Sequence, residues 1–153
     1  MRLTDVLKQW LTEQEWEEQP ELDEEAQTSS TEFGFRIEDF SLTCFYEANE
    51  QGEIFKLYMY FMATKCPERC LDEVQTLVMA LNNKLSIGTL HLQRDARVMR
   101  FYSGIDVENA AFEPAHIQNL LNAGVRALSD ALPKYMAICF GGKTAEEVLA
   151  EEG

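Results

Sequence analysis

Eight residues near the end of the chain, Ala137 to Thr144, read AICFGGKT and fit a relaxed phosphate-loop pattern that ends in Gly-Lys-Thr. A phosphate loop follows a buried strand and opens a long helix, so that main-chain N–H groups surround the phosphate. Here the pattern follows a predicted helix that contains Pro133. We therefore predict that Gly141 and Gly142 end one helix and that a capping box over residues 144–147 opens the next. A nucleotide site at Gly141–Thr144 is the weaker alternative.

Two cysteines four positions apart, Cys66 and Cys70 in the sequence CPERC, could carry thiol or metal chemistry. A structural zinc site needs a full set of Cys and His ligands. No second closely spaced cysteine pair completes such a set, and His91 and His116 fall on different predicted elements. We predict a structural pair of buried thiols and no bound metal, and we keep a redox or metal sensor at Cys66 and Cys70 as an alternative.

Carboxylates are abundant, but none has the setting of a catalytic acid. Nine of the 27 lie in residues 13–32, and none is isolated in an apolar run, where burial would raise its pKa. Arg94, Arg97 and Arg100 are close in sequence on a predicted hairpin, where a solvated turn is favoured over a site for a small anion or an acidic peptide. We predict no catalytic residues, no cofactor and no enzymatic activity.

An alternating aromatic strand is the feature that most strongly suggests a function. A sheet that is covered by helices on one face normally has polar residues on the other. Here Tyr58, Tyr60 and Met62 alternate with the predicted core residues, and Phe45 and Tyr102 on neighbouring strands join them. Aromatic and methionine side chains are enriched at interfaces. These five residues are the predicted partner-binding surface, and the equally weighted alternative is that the N-terminal helix covers this face.

The elements that carry these residues begin with a predicted amphipathic helix over residues 1–16, because Leu3, Leu7 and Trp10 fall on one side of it. Residues 17–32 contain no basic residue but many acids, one proline and a Ser/Thr cluster. That composition predicts a mobile acidic linker. Residues 33–153 form the predicted folded domain.

The pattern in residues 33–153 predicts an α+β fold. Three runs alternate as antiparallel strands, namely FGFRIEDF, SLTCFYEA and EIFKLYMYFMATK. A helix is predicted from Pro67, then a hairpin of TLHLQ and ARVMRFYSGIDV, then a long helix from Pro114 that Pro133 should kink or divide. A short helix follows from Thr144. The predicted order is α-βββ-α-ββ-α, with a five-stranded antiparallel sheet.

The charge of the chain limits its partners. Its 153 residues contain 27 Asp and Glu against 13 Lys and Arg, a net charge of −14 at pH 7. Such a protein repels nucleic acid and anionic membranes, so a protein or peptide partner is predicted. No uncharged run resembles a signal peptide or a membrane span, and the four cysteines are scattered. A reduced, cytoplasmic protein is expected.

A resemblance to a known family follows from this order of elements and from a loose motif. The motif runs from LNNKLSIG, residues 81–88, through a hairpin and the proline-containing helix to FGGKTAEEVLAE, residues 140–151. Residues 33–152 resemble the YbjN domain family, whose fold is similar to that of type III secretion chaperones. The resemblance implies an acidic cytoplasmic homodimer without catalytic residues. By analogy of fold, it also implies a chaperone-like or regulatory protein that holds an extended client along apolar grooves.

Overall fold

An antiparallel sheet with helices on one side forms the frame of the molecule, which we describe from a computed structural model over residues 1–151. In space the strands follow the order β1-β2-β3-β4-β6-β5. The strands are β1 (Glu21–Asp23), β2 (Thr28–Ile37), β3 (Phe40–Asn49), β4 (Ile54–Phe61), β5 (Thr89–Gln93) and β6 (Val98–Asp106). The helices are α1 (Arg2–Glu13), α2 (Leu71–Asn82), α3 (Pro114–Gly141) and α4 (Ala145–Ala150). The predicted α+β fold is confirmed.

The sheet has six strands, which corrects the predicted five. The additional strand, β1, lies in the segment predicted to be a linker, and β2 begins at Thr28, before the predicted start of the domain. Residues 21–23 pair with residues 28–30 in register. All three side chains of β1 are exposed. Main-chain pairing therefore holds this strand, and no apolar alternation marks it in the sequence.

Alternation along the central strands separates a buried face from a face that points away from the helices, which we call the outer face. On β4 every second side chain is buried, from Phe55 to Phe61, and β3 shows the same alternation. The buried side chains share one hydrophobic core with the helices. The intervening side chains, Tyr58 and Tyr60 among them, lie on the outer face.

Helix α1 belongs to this core. Leu3, Leu7 and Trp10 are buried in it, and the Trp10 ring centroid lies 5.2 Å from that of Tyr46 on the buried face of β3. The Glu50 carboxylate accepts hydrogen bonds from the first main-chain N–H groups of the helix, at 2.7 and 2.9 Å. This contact satisfies donors that a helix start leaves free. Helix α1 thus packs on the helical side, and the alternative that it covers the outer face is wrong.

Two helix predictions are also corrected. Helix α3 runs unbroken through Pro133, so the expected division does not occur, and the expected kink stays a prediction. Both Pro133 and Ser129 are exposed, so the Ser129 carbonyl, which loses its usual donor at the proline, can bind water. Helix α2 begins at Leu71, because Pro67 is extended (ψ 142°) and a short 3-10 turn, Glu68–Cys70, separates the two. In residues 1–151, no helix has both the length and the apolar character that crossing a membrane requires.

Candidate functional site

The predicted surface residues come together on the outer face, where we call Phe45, Tyr58, Tyr60, Met62 and Tyr102 the aromatic ridge. Strand register places Tyr58 opposite Phe45 on β3 and opposite Tyr102 on β6. The ring centroids of Tyr58 and Tyr102 are 5.1 Å apart, and those of Phe45 and Tyr60 are 5.9 Å apart. The four rings are half-buried, and Met62 is 46% exposed. The ridge is therefore accessible in this chain.

Arg100 lies at the centre of the ridge. Register places it opposite Tyr60 on β4 and opposite His91 on β5. Its Nη1 donates to the Tyr60 hydroxyl at 2.9 Å, and its Nε donates to His91 Nδ1 at 3.2 Å. The guanidinium carbon lies 5.3 to 5.9 Å from the ring centroids of Tyr58, Tyr60 and Tyr102. These distances are in the range of cation–π attraction.

Two of the side chains that contact Arg100, His91 and Tyr58, are neutral. Burial, and secondarily the Arg100 charge, lowers the pKa of His91 below its usual value. Because His91 Nδ1 accepts the Arg100 hydrogen bond, the imidazole is the neutral form with its proton on Nε2. Burial also raises the pKa of Tyr58, so this hydroxyl keeps its proton at pH 7. Arg100 thus contacts a neutral imidazole and a neutral phenol.

A depression of about 600 Å³ opens beside the ridge. Phe45, Tyr58, Tyr60, Met62 and Arg100 line it, together with Glu47 and Ser30. Apolar and aromatic walls with a cation among them are suited to binding a side chain of another molecule.

The unpaired edge of β2 lies two strands from β4. The Gln27 carbonyl accepts from the Glu50 N–H at 2.9 Å, which continues the β2–β3 ladder. Main-chain groups alternate in direction along a strand, so those of Glu32, Gly34 and Arg36 point away from β3. Strand β1 pairs with residues 28–30 only, and within residues 1–151 no other strand pairs with β2 on that side. Pro20, before β1, has no N–H with which to extend the ladder.

The sequence indicated the aromatic ridge, but it grouped Arg100 with Arg94 and Arg97 and did not indicate the contact with His91. The three arginines of the hairpin do not cluster: Arg94 pairs with Asp72 at 3.0 Å, and Arg97 donates to the Cys66 carbonyl at 3.4 Å. Arg100 is two positions before Tyr102, so the alternation along the strand places both side chains on the outer face. That spacing was the signal in the sequence from which the position of Arg100 could have been predicted. His91 could be found only from the β5–β6 register.

The cysteine alternative gains no support from the structure. Cys66 and Cys70 are buried, and Cys70 Sγ lies 3.6 Å from the Ile138 carbonyl oxygen on α3. Burial raises the pKa of the Cys66 thiol, and it raises that of the neighbouring Cys139 to about 12. Thiols with raised pKa values are poor nucleophiles and poor metal ligands. No group of three or more His, Cys, Asp or Glu side chains in residues 1–151 could hold a metal ion.

The phosphate-loop letters form a helix-to-helix turn. Gly142 ends α3 in the left-handed region (φ 67°), and Thr144 Oγ1 accepts from the Glu147 N–H at 3.2 Å to cap α4. The Glu73 carboxylate accepts from the Ala145 N–H at 2.6 Å. One of the protein's own anions therefore lies where a phosphate would have to bind, and the geometry does not fit a nucleotide site.

Comparison with known proteins supports the family resemblance. The model of the YbjN family, described as "Putative bacterial sensory transduction regulator", matches residues 4–135. That range includes α1 and the segment predicted to be a linker. No curated protein matches the chain significantly in sequence.

Two solved structures are similar in fold. The crystal structure of YbjN from E. coli has a TM-score of 0.54 and 10% sequence identity, covering 88% of this chain and 91% of that one. The HopA1-SchA chaperone-effector complex has a TM-score of 0.49 and 15% identity, covering 81% of this chain and 87% of that one. At these identities the first likeness shows the fold alone, and the second is too slight to support an argument.

Proposed function

The chain belongs to the YbjN family, and from this premise we propose that it is a non-enzymatic protein-binding module that holds a segment of another polypeptide against its aromatic ridge. The family description favours a regulatory role, which such a module performs by binding. A chaperone-like role, a cytoplasmic location and a homodimer stay predictions.

The observation that carries this proposal is the position of the aromatic ridge. The helices pack on the opposite face of the sheet, so within residues 1–151 nothing covers Tyr58, Tyr60 or Met62 from outside. Aromatic rings arranged in this way offer large contact area at low cost in side-chain entropy, and Met62 adds an adaptable apolar side chain. A charged or polar outer face would be the usual arrangement for a sheet that faces only water.

The open edge of β2 supports binding of an extended segment in particular. An added strand gains main-chain hydrogen bonds from the Gly34 and Arg36 groups that point outward. Gly34 has free space where a side chain would start, so a second backbone can approach closely there. The ridge and the edge are parts of the same sheet, and one segment crossing the outer face could use both.

A peptide array followed by affinity measurement tests the proposal. The full chain would be probed against immobilised 15-residue peptides, and the Kd of the best soluble peptide measured by fluorescence anisotropy. We expect Tyr60→Ala combined with Met62→Ala to weaken binding at least about tenfold, as loss of central interface anchors does. Met79→Ala is the matched control, because Met79 is 64% exposed on α2, on the other side of the sheet.

Two results would contradict the proposal. One is an unchanged Kd in the double variant, which would remove the ridge from the binding surface. The other is an equal loss in the Met79→Ala variant, which would indicate nonspecific adhesion of exposed methionines.

A further inference from the structure

We infer that Arg100 is the specificity anchor of this surface and that it binds the carboxylate of an Asp or Glu side chain in the bound segment. The inference rests on the proposed function and adds the chemistry of the partner: an apolar segment that carries one acidic residue.

The first argument is that Arg100 has no carboxylate partner in an acid-rich protein. Arg2 pairs with Glu53 at 3.1 Å and Arg94 pairs with Asp72 at 3.0 Å, and half-buried Arg97, which has no ion pair within residues 1–151, donates to the Cys66 main-chain carbonyl instead. Half-buried Arg100 forms no ion pair with any of residues 1–151. A cation that is partly removed from water normally acquires a counter-charge. The acids of residues 1–151 leave this position to an external carboxylate.

The second argument is that the guanidinium is already oriented. Tyr60 and His91 accept from Nη1 and Nε, and Nη2 has no hydrogen-bond partner within residues 1–151. The planar fork therefore keeps terminal N–H groups for an incoming acceptor, and a carboxylate matches such a fork with two parallel hydrogen bonds. Because Tyr60 and His91 fix the side chain beforehand, little rotamer entropy is lost on binding.

The third argument concerns the charges around the anchor. Glu47 lines the same depression, and Lys56 lies opposite Glu47 on the neighbouring strand. Glu32 lies opposite Phe45 on the same face, so Glu32 and Glu47 balance Lys56 and Arg100, and the surface around the ridge is nearly neutral in a protein of net charge −14. A polyanion such as nucleic acid is repelled at long range by that net charge. A single carboxylate flanked by apolar side chains matches both Arg100 and the aromatic walls.

A matched peptide pair tests the anchor. The probes are acetyl-Ser-Leu-Phe-Glu-Leu-Tyr-Ser-amide and the same peptide with Gln in place of Glu, so that neither has a terminal charge. We expect the full chain to bind the Glu peptide about tenfold or more tightly, which is the range of a charge-assisted hydrogen-bonded pair. In Arg100→Gln the two peptides should bind equally. In Arg100→Lys part of the preference should remain, because the charge is kept and the fork is lost.

Controls separate this inference from the proposed function. Arg94→Gln, on the exposed hairpin, should keep the full preference, and Tyr60→Ala combined with Met62→Ala should weaken both peptides. Equal affinities for the wild-type chain, binding of neither peptide, or a preference kept in Arg100→Gln would each overturn the anchor. The peptide-array experiment with the Tyr60 and Met62 double variant can detect binding of peptides that have no acidic residue. It therefore still tests the proposed function if the carboxylate anchor is wrong. If the wild-type chain forms a dimer and Arg100→Gln abolishes that dimer, Arg100 binds a second copy of this chain. That result would also overturn the inference.

Discussion

His91 reports on the electrostatics of Arg100 at the scale of single residues. We expect its imidazole to titrate below the usual histidine range, because burial and the adjacent guanidinium both disfavour its charged form. In Arg100→Gln the pKa of His91 should move back toward 6.5, since the second cause is removed. NMR titration of the imidazole resonances measures both values, and His91→Gln assigns them against His116. An unchanged pKa in Arg100→Gln would contradict the contact.

The same lowered pKa gives a sign for the pH dependence of stability. As pH falls below the unfolded-state value near 6.5, the unfolded chain binds a proton at His91 before the folded chain does. The contribution of neutral His91 is therefore fully present above pH 6.5 and is lost as pH falls from there through the folded-state pKa. Between pH 7.5 and pH 5.5, the melting temperature of the wild type should therefore fall by more than that of His91→Gln. Thermal unfolding of both proteins at the two pH values measures the difference.

The residues of the ridge show what alternation can predict. Phe45, Tyr58 and Tyr102 follow from a period of two within single strands, and the sequence indicated them correctly as one surface. Arg100 was assigned to a solvated turn because it was grouped with Arg94 and Arg97 of the predicted hairpin. Its contact with His91 depends on pairing between two strands, which no single-strand pattern contains.

At the scale of secondary structure, the open edge of β2 makes a measurable prediction. In the free protein, the amides of Phe33 and Phe35 face β3 and should exchange with solvent slowly, whereas those of Gly34 and Arg36 should exchange at least about a thousandfold faster. A bound extended segment that pairs with β2 should slow Gly34 and Arg36 and leave Phe33 unchanged. Uniform protection of all four amides in the free protein would mean that this edge is already covered.

Strand β1 shows why the element count could not be predicted. Its three residues are exposed, and the acids around them favour a solvated linker by composition. Pairing with residues 28–30 stabilises this short strand through main-chain groups, which every residue carries and which composition does not record. The central strands could be predicted because their buried face carries apolar side chains at every second position, and the sequence records that alternation.

At the scale of the whole molecule, α1 and the sheet share one hydrophobic core. The family match spans residues 4–135 and so includes α1. Trp10 contacts Tyr46 and Trp16 by its ring, and its Nε1 donates to the Gln118 side chain on α3 at 3.1 Å. The division predicted from sequence, with a helix on a tether, rested on the acidic composition of residues 17–32. The buried stripe of α1 gave no indication of which surface it packs against.

Trp10→Ala tests whether α1 is part of the folding unit. Because Trp10 is buried between β3 and α3, its truncation should lower the free energy of unfolding by about 3–5 kcal/mol. Lys8→Ala, an exposed position on the same helix, should change it by about 0.5 kcal/mol or less. Urea unfolding followed by circular dichroism gives both values. A loss below about 1 kcal/mol for Trp10→Ala would favour the tethered helix, because a helix that packs only loosely contributes little to a cooperative transition.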